Sequence, residues 1–181
     1  MVRVATWNVN SVKARLANLL AWLESAKPDI LCLQEIKCLE ADFPALEIKA
    51  AGYHAAILGQ RAYNGVAILS REPARDVQRG LPGDDGDEQA RYLEATFAGL
   101  RVAAIYLPNG NPVSTDKYDY KLAWMARLVR HARGLLDTER PCVLAGDFNV
   151  VPADDDVYDP AAWREDALCR SETRAQFRRL L

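Results

Sequence analysis

The sequence predicts a mixed α/β fold, of the α+β kind, on three observations. A strand-like run, an amphipathic helical stretch and a second apolar run open the chain. Two further strand-like runs flank a tight Ala98-Gly99 turn, which makes part of the sheet antiparallel. Late in the chain a long helical stretch leads into Cys142-Val143-Leu144-Ala145, an apolar run that stops at Gly146-Asp147-Phe148-Asn149. With 181 residues, 50% of them hydrophobic, the chain suits one globular domain over 1–181.

Residues 2–9 read as a strand. A helix is expected over 12–25, because Val12, Leu16, Leu19, Leu20 and Leu23 recur at helical spacing. Ser11 is its candidate N-cap and Pro28 its stop. Residues 30–34 form a second apolar strand ending at Glu35, and strand–helix–strand order predicts a parallel pair. A short helix near 44–51 and strands near 53–58 and 66–70 follow. Pro-Gly-Asp-Asp-Gly-Asp-Glu at 82–88 is a polar turn. The hairpin occupies 92–97 and 102–107, then Pro108-Asn109-Gly110-Asn111-Pro112 makes a loop. A long helix spans about 117–136, with Tyr118, Leu122, Met125, Leu128, Val129 and Leu136 facing inward. The apolar run at 142 reads as a strand buried on both faces. An acidic loop, Asp154-Asp155-Asp156, and a final helix from Glu172 complete the chain. That helix carries Phe177, Leu180 and Leu181 and stops without a cap, as a truncated chain would.

Bulk electrostatics do not argue for any partner. The net charge is −2 and the pI about 5.7, so a nucleic acid would have to be met by a local basic patch. Cys32, Cys38, Cys142 and Cys169 form no Cys-x-x-Cys pair and read as reduced, buried thiols of a cytoplasmic protein. Two histidines, His54 and His131, are too few for a histidine-rich metal centre. No apolar run approaches membrane-spanning length, so no membrane partner is expected.

Three strand ends carry related chemistry: Trp7-Asn8-Val9-Asn10, Leu33-Gln34-Glu35 and Gly146-Asp147-Phe148-Asn149. Open sheets place chemistry at the carboxyl ends of strands. Carboxylates beside carboxamide oxygens suit a hard cation such as magnesium, which keeps several waters and often shares a phosphate. The same residues also serve as turn formers and Asx caps, so no one segment decides. Tyr106 ends a strand before a Pro-Asn-Gly loop; its phenol suits either a phosphate or the core.

These motifs, with Asn64-Gly65-Val66-Ala67-Ile68-Leu69-Ser70 and Tyr106-Leu107-Pro108-Asn109-Gly110, occur in one order along nearly the whole chain. The set resembles the exonuclease III family of abasic-site endonucleases, within the endonuclease/exonuclease/phosphatase superfamily. The Gln-Glu and Gly-Asp-x-Asn signatures are shared by the superfamily. The Tyr-x-Pro-Asn-Gly loop and Leu-Pro-Gly-Asp at 81–84 belong more to the exonuclease III branch. The resemblance implies a four-layer α/β sandwich with two mixed sheets. It implies a magnesium-dependent enzyme (manganese being the alternative) of base excision repair. Such an enzyme cuts DNA 5′ to abasic sites and also has 3′→5′ exonuclease and 3′-phosphatase activity. By position, Glu35 is the principal metal ligand, with Asn8, Asp147 and Asn149 completing the set. Asp147 orients or deprotonates the attacking water, Asn149 hydrogen-bonds the phosphate, and Tyr106 contacts the scissile phosphate. Asn10, Asn109 and Lys121 are the substrate-binding candidates. The expected partner is double-stranded DNA with abasic sites or 3′ ends, bound by a monomer if the chain is complete.

The family pattern continues with a Trp-containing strand, an Arg-Ile-Asp strand and a Ser-Asp-His motif, none of which these 181 residues contain. The second sheet is therefore expected to be incomplete, and the chain alone to be impaired in activity and in stability. Two other readings stand beside the first: a different phosphoesterase of the superfamily, and a catalytically dead remnant that binds DNA. Lys117, Arg61 and the Arg170, Arg174, Arg178 series are further basic candidates. For the arginine series a solvated helix face is the favoured reading.

Overall fold

The computed structural model describes all 181 residues, Met1–Leu181. They fall into two compact units: Met1–Tyr106 with Glu139–Asp147, and Leu107–Thr138 with Phe148–Leu181.

The first unit holds two four-stranded sheets. One contains β1 (Val4–Asn8), β2 (Ile30–Gln34), β3 (His54–Leu58) and β4 (Val66–Ser70), in the order β1-β2-β4-β3. The other contains β5 (Arg75–Arg79), β6 (Tyr92–Phe97), β7 (Leu100–Tyr106) and β8 (Cys142–Asp147), in that order. β1 and β2 run parallel, as do β7 and β8, while the other neighbours are antiparallel. Both sheets are thus mixed, as expected. Side-chain alternation along β2 builds two cores at once. Ile30 and Cys32 join Val66, Ile68, Leu93, Ala95, Val102 and Ala104 between the sheets. Leu31 and Leu33 face the other way, onto Leu19 and Leu23 of α1 (Leu16–Ala26) and Ile48 of α2 (Ala45–Ala50). Each such leucine, fully buried, contributes about 1.5–3 kcal/mol.

Three expectations are corrected here. The first helix begins at Leu16, not Val12, and Ser11 is not its cap. The N–H groups of Val9, Ser11 and Val12 bond to the carbonyls of Gln34, Glu35 and Ile36, so this segment extends the β1–β2 pairing before the helix can start. Ser11 Oγ instead accepts from Ala14 N–H at 3.3 Å. β8 is half-buried at every position, because it is an edge strand bonded to β7 alone. β5 has no counterpart in the sequence reading; Arg-Asp-Val-Gln-Arg offers one apolar residue and belongs to an exposed edge.

The second unit contains α3 (Asp116–Leu136), the four-residue α4 (Pro160–Trp163) and α5 (Ser171–Leu180). Thr115 caps α3 through its side chain, which accepts from Lys117 N–H. The buried stripe of α3 runs Tyr118, Lys121, Met125 and Leu128, joined by Trp124, Arg127 and Val129. Leu122 is half-buried and Leu136 is 67% exposed, against expectation. A lysine and an arginine occupy places that a hydrophobic pattern assigns to leucines. α5 packs Phe177 edge-on against Phe148, with ring centroids 5.6 Å apart. No helix is long and apolar enough to cross a membrane.

Candidate active site

In the first unit, strand register assembles the chemistry. The parallel β1–β2 pair sets Asn8 opposite Gln34, so Glu35 is the next residue beyond β2. The parallel β7–β8 pair sets Tyr106 opposite Asp147. Four strand ends therefore converge with their carboxyl termini together. Asn8 ties the two sheets: its Nδ2 donates to Glu35 Oε1 and to Asp147 Oδ2, each at 2.8 Å. The Tyr106 phenol interacts with the Glu35 carboxylate. Lys37 Nζ sits 2.9 Å from Glu35 Oε2 and also donates to Asn10 Oδ1.

Gly146 makes the β7–β8 register achievable. A Cβ there would lie 1.9 Å from the Ile105 carbonyl oxygen, so any side chain pushes β8 off β7. Backbone strain gathers beside it. Asn10, Ser11, Glu35 and Lys37 all adopt positive φ, at 42°, 88°, 53° and 53°. Such conformations cost about 1–2 kcal/mol for most L residues. Their concentration around one pair of carboxylates points to a site shaped for chemistry.

The electrostatics divide the labour. Burial pushes the Glu35 carboxyl up, but hydrogen bonds from Asn8, Lys37 and Tyr106 and the Lys37 charge outweigh it. Its pKa ends below the ordinary 4.5. Burial, then the Glu35 charge and its hydrogen bond, raise the Tyr106 phenol well above its usual range. At neutral pH the site thus holds an ionised carboxylate beside a protonated phenol. The Arg91 guanidinium lies 4.8 Å over the Tyr106 ring and fixes its plane.

The donor set fits a hard cation. Glu35 and Asp147 supply carboxylate oxygens, and no group of three or more His, Cys, Asp or Glu gathers to hold a metal ion. Two carboxylates suffice for magnesium, which keeps most of its waters. The Asn8 nitrogen faces both carboxylates and its oxygen accepts from Asn10 N–H at 3.1 Å, so this side chain links the two acids.

The second unit holds a separate cluster of amides. Asn149 Nδ2 donates to the Leu107 carbonyl at 2.9 Å, and Asn109 Nδ2 lies 3.4 Å from Asn149 Oδ1. Asn149 has φ 45°, again left-handed. Lys121, expected to contact substrate, is fully buried, and its ammonium donates to the carbonyls of Pro108, Asn109 and Asn149. That expectation is corrected: the loops, not solvent, take its charge. Arg170 is tied to Glu165 and Glu172, and Arg174 to Asp154, so two of the three arginines expected along the last helix serve the unit's own packing. Lys37 and Arg91 were absent from the expected site. Lys37 stands two residues after Glu35, the spacing of a shared face, and that was the signal available. Nothing local marks Arg91.

The sequence profile described as the Endonuclease/Exonuclease/phosphatase family matches residues 5–179. Over 185 residues the chain is 31% identical to the DNA repair nuclease APEX1 of Danio rerio, covering 99% of itself and 59% of that protein. It is 31% identical to exodeoxyribonuclease III of Haemophilus influenzae, covering 99% of itself and 71% of the relative. The solved structure of a Neisseria 3′ phosphatase, NExo, bound to a product DNA hairpin superposes with a TM-score of 0.95 at 41% identity. That match covers 99% of this chain and 70% of the other. The chain therefore spans roughly three fifths to seven tenths of the lengths of the proteins it matches.

Proposed function

Because the chain belongs to the endonuclease/exonuclease/phosphatase family, we propose that it is a divalent-metal-dependent DNA repair phosphodiesterase. The proposed substrate is double-stranded DNA, cut 5′ to abasic sites or processed at 3′ ends by a cytoplasmic monomer. The observation that carries this reading is the Asn8 bridge, which holds Glu35 and Asp147 on one amide nitrogen with Tyr106 alongside.

Glu35 and Asp147 are the residues proposed to hold magnesium or manganese. The bound cation would take up charge developing on the phosphate and lower the pKa of a nearby water. Glu35 is ionised at neutral pH and ready for a cation, with Lys37 as its counter-charge meanwhile. Asp147 is assigned to orienting and deprotonating the attacking water. Tyr106, kept protonated, is assigned to donate to a non-bridging phosphate oxygen, where a positioned donor is worth about 10²–10³ in rate. Asn149 is assigned to the phosphate, Asn109 to the phosphate or the abasic sugar, and Asn10 to substrate.

Cleavage of an abasic-site duplex with Mg²⁺, with EDTA, and with Asp147→Asn tests the reading. Metal-dependent incision lost in Asp147→Asn is expected. Incision that survives EDTA, or persists undiminished in the variant, would overturn it.

A further inference from the structure

We infer that Lys121 is a positioning residue: its buried ammonium fixes the two backbone segments that carry Asn109 and Asn149, and it never meets DNA. The inference rests on the phosphodiesterase reading for its kinetic consequence but not for its structural one. Lys121 lies on the buried stripe of α3, fully out of solvent. Its Nζ reaches the carbonyls of Pro108 and Asn109 at 3.1 Å each and that of Asn149 at 2.6 Å. An ammonium has N–H bonds enough to hold all three carbonyls at once. Carbonyls drawn together around one cation repel one another once it is removed, so the ammonium decides the arrangement.

Two features show the segments are built around this side chain. Gly110, at φ +89°, lies against the lysine stem: a Cβ there would meet Lys121 Cδ at 2.6 Å and Ala167 Cβ at 3.2 Å. Only a glycine lets the loop close over the methylenes. Asn149 keeps its left-handed backbone at φ 45° while its carbonyl is held by Lys121 and its Nδ2 by the Leu107 carbonyl. On the far side of the same loop, Asn111 receives Ala167 N–H at 3.1 Å and donates to Asp166 Oδ2 at 3.0 Å. The loop is thus anchored at both edges, and the lysine sets the edge that bears Asn109.

The test compares the full chain with Lys121→Met, which keeps the stem and removes the charge, and with Lys121→Arg, which keeps charge and donors. Hydrogen exchange is read at 107–111 and 149–151, and needs no activity. Exchange should quicken there in Lys121→Met while the sheets stay protected, and Lys121→Arg should recover part of the protection. On abasic duplex, kcat should fall about 10- to 100-fold in Lys121→Met, as for a small misplacement of positioned groups. KM and the salt dependence of binding should hold. Unchanged exchange in both variants overturns the inference. So does a salt slope lowered by about 0.9, the mark of a lost phosphate contact. If the wild-type chain does not cut, the exchange arm alone decides, and the two readings fail separately. Should Lys121→Met not fold, loosening confined to those segments in Lys121→Arg supports the inference, and its absence sinks it.

Discussion

Asn8 has one amide nitrogen and two carboxylates to serve, and that shared donor holds Glu35 and Asp147 side by side. Lys37 and Tyr106 further stabilise the charge on Glu35. The consequence is a pH dependence of fixed sign. The folded pKa of Glu35 lies below its usual 4.5, so the unfolded chain binds that proton more readily. The stability this carboxylate confers is complete above 4.5 and is lost as pH falls through the folded value. Glu35→Gln should therefore flatten the acid limb of a melting-temperature profile below the ordinary value of 4.5; a limb as steep as wild type would refute the pairing. Gly146→Ala tests the register that brings Tyr106 to Asp147. A Cβ 1.9 Å from Ile105 O must displace β8, at about 1–3 kcal/mol or more by denaturant titration. Glu35 and Asp147 were legible because each ends a strand-like run with a carboxylate. Lys37, Arg91 and the donor role of Asn8 were not, because they depend on which atom of a side chain faces which neighbour.

At the scale of elements, turn chemistry and hydrophobic period carried most of the reading. The β6–β7 hairpin turns on Ala98 and Gly99, both at positive φ (49° and 88°), as a two-residue primed turn requires. Alanine is a poor choice for the first place. Ala98→Asn or Ala98→Gly should raise stability by about 1 kcal/mol, and an unchanged or lowered melting temperature would show that the turn does not hold this conformation in solution. α3 was found from its period, and Tyr118, Met125, Leu128 and Val129 are buried as expected; Lys121 and Arg127 were missed, since they are rejected by any rule that puts charge outside. The start of α1 was misplaced for a different reason: residues 9–12 are claimed by backbone bonds to 34–36, partners remote in sequence. β8 was recognised as a strand, but composition cannot tell an edge from a centre, and its half-burial follows from having one neighbour.

For the molecule as a whole, apolar runs announced strands without naming their partners. The order β1-β2-β4-β3 therefore comes from the structure, while the parallel β1–β2 pair was legible from its intervening helix and the antiparallel β6–β7 pair from its tight turn. Charge sets a further whole-molecule constraint. With a net charge of −2, the chain gains nothing from bulk attraction to DNA, and Glu35 and Asp147 add local repulsion to a phosphate. If these carboxylates face the scissile phosphate, neutralising either one must favour DNA. Fluorescence anisotropy on an abasic duplex should show wild-type affinity rising about tenfold from EDTA to a divalent cation that does not support cleavage, such as Ca²⁺. Asp147→Asn should bind more tightly than wild type in EDTA and gain less from the cation, because part of the repulsion is already gone. Equal affinities across the four conditions would mean that the carboxylates lie away from the bound phosphate, and would remove them from the proposed reaction while leaving the fold untouched.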